Sequence, residues 1–170
     1  MQRVTKVHFH TGNVTDAATS GHKIIMLLHD ERRVRRKTLT LDSSDKVLID
    51  LPETVALRSG DRLVLEDGSE VIVVAATEPL YSVTASNATH LSELAWHIGN
   101  RHLAAAISAD RILILRDHVI KSMLIGLGAT VEDIEAPFEP VRGAYHNTNH
   151  THTHHDHDHD HDHDHDHDHA

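Results

Sequence analysis

The hydrophobic pattern of this chain changes character at Glu78-Pro79, and that change limits the folds open to it. Before it, apolar residues come in short β-prone runs broken by turn residues. The runs are VTKVHF, KIIMLL, the alternating RRKTLTLD, KVLIDL, DRLVL and EVIVVAA, with turns at Gly12-Asn13, Ser43-Ser44, Ser59-Gly60 and Asp67-Gly68. Asp-Gly between two apolar runs is the strongest short-range hairpin signal available to a sequence. Residues 1–77 are therefore expected to form a small all-β domain.

After Glu78-Pro79 helical and extended patterns alternate. LYSVTA reads as a strand. Ser86 or Asn87 then caps a helix through about His97, with Leu91, Leu94, Ala95 and Ile98 at i, i+3, i+4 and i+7, and Gly99-Asn100 ends it. AAAIS and RILIL read as two strands flanking Ala109-Asp110. Asp117 caps a second helix carrying Val119, Ile120, Met123, Leu124 and Leu127, Gly128 stops it, and ATVEDIE is a last strand. The order β-α-β-β-α-β is the split βαβ, ferredoxin-like arrangement, an antiparallel sheet with both helices on one face. Pro137 and Pro140 close this second domain, residues 78–142, so the fold class is α+β.

Residues 143–170 cannot extend either core. Residues 150–169 read HTHTHHDHDHDHDHDHDHDH, and twelve of the twenty histidines fall at or after His146. Nothing apolar is present to offset an ordering entropy of roughly 1–2 kcal/mol per residue, so a disordered tail is expected. Its chemistry is that of a metal sponge. Near neutral pH an imidazole with a pKa of about 6.5 offers a ring nitrogen. In an extended chain alternate residues point to one side about 6.6 Å apart, so neighbouring histidines can converge on one ion. Imidazole suits nickel, copper and zinc, and the interleaved carboxylates offset the ion's charge. An affinity tag is usually a uniform histidine run, which the Asp alternation is not.

Charge and cysteine content remove several function classes. Up to Arg142 sixteen basic residues face nineteen acidic ones, so most of the formal charge of −10 belongs to the tail and nothing global points to nucleic acid. The absence of cysteine excludes disulfides, thiolate clusters and cysteine nucleophiles, leaving nitrogen and oxygen for any metal site. The N-terminus has charges where a signal peptide needs an apolar stretch, and the longest apolar runs, 24–28 and 71–76, are far too short to span a bilayer. A soluble, cytoplasmic protein without membrane partners is expected. P-loop, Rossmann glycine and G-x-S-x-G motifs are all missing, which disfavours an enzyme.

Within the body, His102 stands just past the first helix stop, in GNRH, on a turn that leaves its side chain free. One ligand per chain becomes two if chains pair about a two-fold axis through the ion, and the tail supplies the remaining donors. His118 follows Asp117 at the start of the second helix, where the dipole favours the neutral, metal-competent imidazole. His90, Glu93 and His97 border the apolar stripe of the first helix but lack H-E-x-x-H spacing, and read as an exposed polar edge. Arg32, Arg33, Arg35, Arg36 and Lys37 form a basic cluster, read as a solvated hairpin rim with a docking patch for an acidic partner as the alternative. His8, His10, His22 and His29 read as ordinary surface or core histidines.

HLSELAWHIGNRH, LRDHVIKSML, PFEPVRGAYH, the stretch GDRLVLEDGSEVIVVAATEPL and the histidine-rich C-terminus together resemble the UreE family, the nickel metallochaperones of urease maturation. The resemblance covers nearly the whole chain. It implies a cytoplasmic homodimer with an N-terminal β domain that binds partner polypeptide and a ferredoxin-like domain that binds metal and dimerises. It implies that His102 from both subunits binds Ni²⁺ at the interface. The implied partners are the urease apoprotein and its other accessory proteins, the GTPase among them. Some members carry H-D-H at the start of the second helix, where this chain has Arg116-Asp117-His118, so His118 is the weaker carry-over.

The metal ligands expected are thus His102 and His118 in the body and His150, His152, His154, His155 and His157 in the tail, with Zn²⁺ and Cu²⁺ also bound in vitro. Acid should release metal at about pH 6–6.5, as protons take the same lone pairs. Two rivals are a storage buffer without a delivery role and a metal-dependent hydrolase built on His90, Glu93 and His97.

Overall fold

The computed structural model describes residues 2–11 and 21–143; the Gly12-Asn13 turn and the tail lie outside the described residues. All six N-terminal runs form strands: β1 (Gln2–His8), β2 (Lys23–Leu27), β3 (Arg33–Thr40), β4 (Lys46–Ala56), β5 (Arg62–Leu65) and β6 (Glu70–Ala75). They make one mixed sheet in the order β2-β6-β5-β1-β4-β3. β1 runs parallel to β4 and β2 to β6, while the other neighbours are antiparallel. Val4, Ile25, Val34, Leu39, Ile49, Leu63, Leu65, Val71 and Val73 fill its core.

Asp67-Gly68 turns the β5–β6 hairpin as its sequence requires. Gly68 has φ +81°, a left-handed conformation that costs a residue with a side chain, and Leu65 N–H closes the turn on Ser69 O at 2.8 Å. The Asp67 carboxylate accepts from the Ser69 amide and hydroxyl and from Gln2, and these bonds lower its pKa to about 2. β4 runs past the end of KVLIDL through Pro52. The break in β3–β4 register between Val34 and Arg36 leaves Pro52 unpaired, so its missing N–H costs the ladder nothing.

The second sheet contains β7 (Thr77–Thr84), β8 (Ala105–Ile107), β9 (Ile112–Leu115) and β10 (Thr130–Pro137), with α1 (Ala88–Gly99) after β7 and α2 (His118–Gly126) after β9. Its order is β10-β7-β9-β8 and every neighbouring pair is antiparallel. Asn87, one of the two expected caps, accepts from His90 N–H at the start of α1, and Asp117 caps α2 by accepting from Val119 and Ile120. Leu91, Leu94 and Ile98 of α1 and Leu124 of α2 pack on Tyr81, Val83, Ile112 and Ile114.

One element departs from its pattern. Val119 and Leu127, grouped with the apolar residues of α2, are exposed, Val119 by 61%. A nine-residue helix lying on a sheet buries one narrow stripe, here Ile120, Met123 and Leu124, and apolar residues off that stripe stay uncovered.

The two sheets meet through a polar seam. His29 donates its backbone N–H to Glu78 at 2.8 Å, its ring Nδ1 lies 2.7 Å from the other Glu78 oxygen, and its edge meets the buried Phe138 ring. Arg32 is 4% exposed; it donates to Phe138 O and lies 2.9 Å from Glu139, whose carboxylate also accepts from Ser59 N–H. Arg32 therefore belongs to the seam rather than to the basic rim of which it reads as part, and His29 is a junction residue rather than an ordinary one.

Candidate metal centre

His102 owes its position to the way α1 ends. Leu103 N–H bonds to Ile98 O at 3.5 Å and His102 N–H to Gly99 O at 2.9 Å, the paired 6→1 and 5→2 bonds of a Schellman motif, with Leu103 and Ile98 in the same apolar cluster. The residue after the cap in this motif is left-handed and usually glycine. Here it is His102, at φ +54°. A side chain in that conformation carries local strain, and such strain gathers at functional sites. The imidazole is exposed, and its ring forms no hydrogen bond among the described residues.

His118 begins α2 and is also exposed, with Asp117 beneath it engaged by two backbone amides. β7 and β9 are antiparallel, so the helices that follow them run in opposite directions. His90, near the start of α1, lies 2.8 Å through Nε2 from the carbonyl of Leu127, just past α2. The end of α1, with His102, and the start of α2, with His118, therefore share the opposite end of the layer.

Arg116 stands where an added histidine would make an H-D-H triplet, and it is committed elsewhere. Its guanidinium donates to Leu80 O and Ile134 O and pairs with Glu135 at 3.2 Å, tying β9 to β7 and β10. Next to it Lys121 donates to Asp133 at 2.7 Å, which holds that carboxyl below its usual range and the ammonium above its own. This cluster reinforces the sheet and offers no ligand.

His90, Glu93 and His97 do not assemble a site. With Nε2 facing a carbonyl and Nδ1 3.2 Å from the Ser86 N–H, both His90 nitrogens are engaged, which fixes the neutral Nε2–H tautomer. His90 clamps α1 to the end of α2. Glu93 and His97 line a shallow depression with Thr89, Ser92 and Trp96, and among the described residues no three His, Asp or Glu side chains are grouped to hold a metal. His102 and His118 thus each offer one imidazole. His150, His152, His154, His155 and His157 lie outside the described residues.

Trp96, which the helical pattern passes over, is 63% exposed with its ring edge-on to His97. The available signal was its place off the stripe of Leu91, Leu94 and Ile98. Near the end of the described residues, Val141 N–H pairs with Ala105 O at 2.8 Å, and Ala105 is three residues along the chain from His102.

Comparison with known proteins bears on what this arrangement is. The model of the UreE urease accessory protein N-terminal domain matches residues 5–76, and that of the C-terminal domain matches residues 78–169. The chain belongs to the UreE family. Curated relatives carry the name urease accessory protein UreE. One from Brucella anthropi is 53% identical over 85% of this chain and 84% of its own length. One from Agrobacterium fabrum is 52% identical over 86% of this chain and 88% of its own. A third, from Mesorhizobium japonicum, is 64% identical over 71% of this chain, which spans about three-fifths (61%) of that relative's length. The UreE match to the C-terminal unit takes in α1, the His102 turn and α2, and runs on into the histidine-rich tail. No helix among the described residues is long and apolar enough to cross a membrane.

Proposed function

We propose that this chain is a nickel metallochaperone that donates Ni²⁺ during assembly of the urease metallocentre, working in the cytoplasm as a homodimer. The observation that carries the reading is His102, a free imidazole held in a left-handed turn where glycine would cost less. Two copies related by a two-fold axis present two imidazoles to one ion. The exposed apolar residues of the helical layer, Trp96, Val119 and Ile125, offer the surface such a pairing would bury. The C-terminal unit is taken as ferredoxin-like, on the strand order and antiparallel pairing described above.

Two imidazoles alone hold a divalent ion weakly. Further donors come from the tail, which leaves the body three residues from the His102 turn; His150, nine residues past Val141, reaches at most ~30 Å. His152, His154, His155 and His157 extend the set and gather additional ions, and His118 is a secondary ligand at the same end of the layer. Hand-over to the urease apoprotein and its accessory proteins, the GTPase included, requires a site that lets go, which an exposed cluster of neutral imidazoles does. Cu²⁺ outranks Ni²⁺ at nitrogen sites, so selectivity rests on metal supply and on the receiving partner, and Zn²⁺ and Cu²⁺ bind as well.

Calorimetric Ni²⁺ titration of the full chain, of the chain ending at Gly143, and of that shorter chain with His102→Ala tests the reading, with oligomeric state followed by sedimentation. The shorter chain should bind about one ion per dimer and lose it on substitution. A shorter chain that binds no Ni²⁺, or stays monomeric with it, overturns the delivery site and leaves a tail that only stores metal.

A further inference from the structure

Four of the body's sixteen cations stand together on one edge of the N-terminal sheet. Arg33, Arg35, Arg36 and Lys37 are all exposed on β3, whose single neighbour in the sheet is β4. Arg36 and Lys37 reach Asp50 and Glu31 only at 3.9 and 3.8 Å, and Arg33 and Arg35 form no ion pair among the described residues. Charged side chains do guard open sheet edges against strand addition. That role belongs to both edges of a sheet, yet the other edge, β2, has one lysine, 3.7 Å from Asp45, and exposes Met26.

The described chain comes to its end beside this strand. Arg142 donates to the carbonyl of Ala56, and Ala56 is the register partner of Arg33. Residue 143 therefore starts within the reach of one arginine side chain of the basic edge. Beyond it lies the strongest concentration of negative charge in the chain, seven aspartates at alternate positions from Asp156 to Asp168. Asp156 lies thirteen residues past Gly143, a reach of up to ~43 Å, whereas the eight residues of β3 span roughly 26 Å. Attachment at that point gives the tail an effective concentration on the order of mM at the strand, so a weak contact suffices to fill it.

We infer that the metal-free tail docks along the β3 edge of its own chain, its Asp carboxylates meeting Arg33, Arg35, Arg36 and Lys37. The basic edge is then the tail's resting place, a role distinct from metal transfer and independent of whether the chain delivers nickel.

The chain has no cysteine, so Ala170→Cys places a single nitroxide two residues past the last aspartate of the series, in the whole 170-residue chain. In chelator-treated, ¹⁵N-labelled protein at ~20 mM salt, amides of Arg33–Thr40 should broaden at least about two-fold more than those of Lys23–Leu27 on the opposite edge. The excess should vanish at ~0.5 M salt, where the screening length falls to about 4 Å. It should also vanish in the Arg33→Gln/Arg35→Gln/Arg36→Gln/Lys37→Gln variant and when all seven tail aspartates become Asn. The Asn variant alters no described residue, so loss of fold cannot imitate the result. Equal broadening of both edges, or broadening that survives the seven Asn substitutions, overturns the inference. Broadening seen only when spin-labelled and ¹⁵N-labelled chains are mixed assigns the contact to another molecule's tail and overturns it as well.

Discussion

Replacing His102 by glycine and by alanine separates strain from ligation, because the two substitutions treat the backbone differently. At φ +54° His102 occupies the left-handed position of a Schellman motif closed by bonds of 2.9 and 3.5 Å. That conformation costs an L-residue roughly 1–2 kcal/mol, toward the lower end for histidine, and glycine next to nothing. Glycine also gains freedom in the unfolded chain, which takes back about 0.4–1 kcal/mol. The balance leaves His102→Gly between neutral and about 0.6 kcal/mol more stable, a rise in Tm of at most about 2 °C for a chain of this size. Alanine keeps the left-handed cost, and the exposed ring it removes has no hydrogen bond among the described residues, so His102→Ala should stay within about 0.5 kcal/mol of the parent. Differential scanning calorimetry and chemical denaturation read both differences, and on the proposed function both variants should lose Ni²⁺ binding by the chain ending at Gly143 in titration. A glycine variant that is less stable than the parent would mean that the ring packs and the strain argument is wrong. Retained ion binding in either variant would remove His102 from the metal site.

His90→Ala should cost about 0.5–1.5 kcal/mol, since it removes the ring partner of Leu127 O and Ser86 N–H at a site water can reach, while Ni²⁺ stoichiometry stays unchanged; urea denaturation beside titration checks both. Arg32→Ala removes the buried donor to Phe138 O and Glu139 and should cost about 1–3 kcal/mol, splitting unfolding into separate transitions for the two sheets in calorimetry. Asp67 has a folded pKa of about 2 against an ordinary 3.8. A carboxyl depressed in this way adds stability that is present above its unfolded value and lost as pH falls through the folded one, so the change lies between about pH 4 and 2. NMR titration of its carboxyl should give a midpoint near 2, and Asp67→Asn should flatten the acid limb of stability in that window.

Local patterning was enough to place nearly every element. β-branched runs with turn residues between them favour strands, and Asp67-Gly68 named its own hairpin because glycine accepts φ +81° there without cost. The α1 stripe and the Asn87 and Asp117 caps were readable because they are short-range devices. The seam was not readable. Arg32 counted as one more cation in a row of five, and only its burial against Phe138 and Glu139, more than a hundred positions later, sets it apart. Arg116 likewise reads as a missing histidine until its bonds to Leu80 and Ile134 make it a sheet tie.

The sequence by itself determined the chemistry on offer: no thiols, a surplus of imidazoles, a stretch from 150 to 169 without apolar residues, and a histidine just past a helix stop. These follow from composition and local spacing, which need no fold to express them. Tertiary structure alone decided which histidines remain available. It engaged both nitrogens of His90, paired His29 with Glu78, and left His102 exposed in a left-handed turn. The physical reason is that a ring nitrogen's freedom depends on which carbonyls and amides lie within about 3 Å of it. Those neighbours arrive from distant parts of the chain.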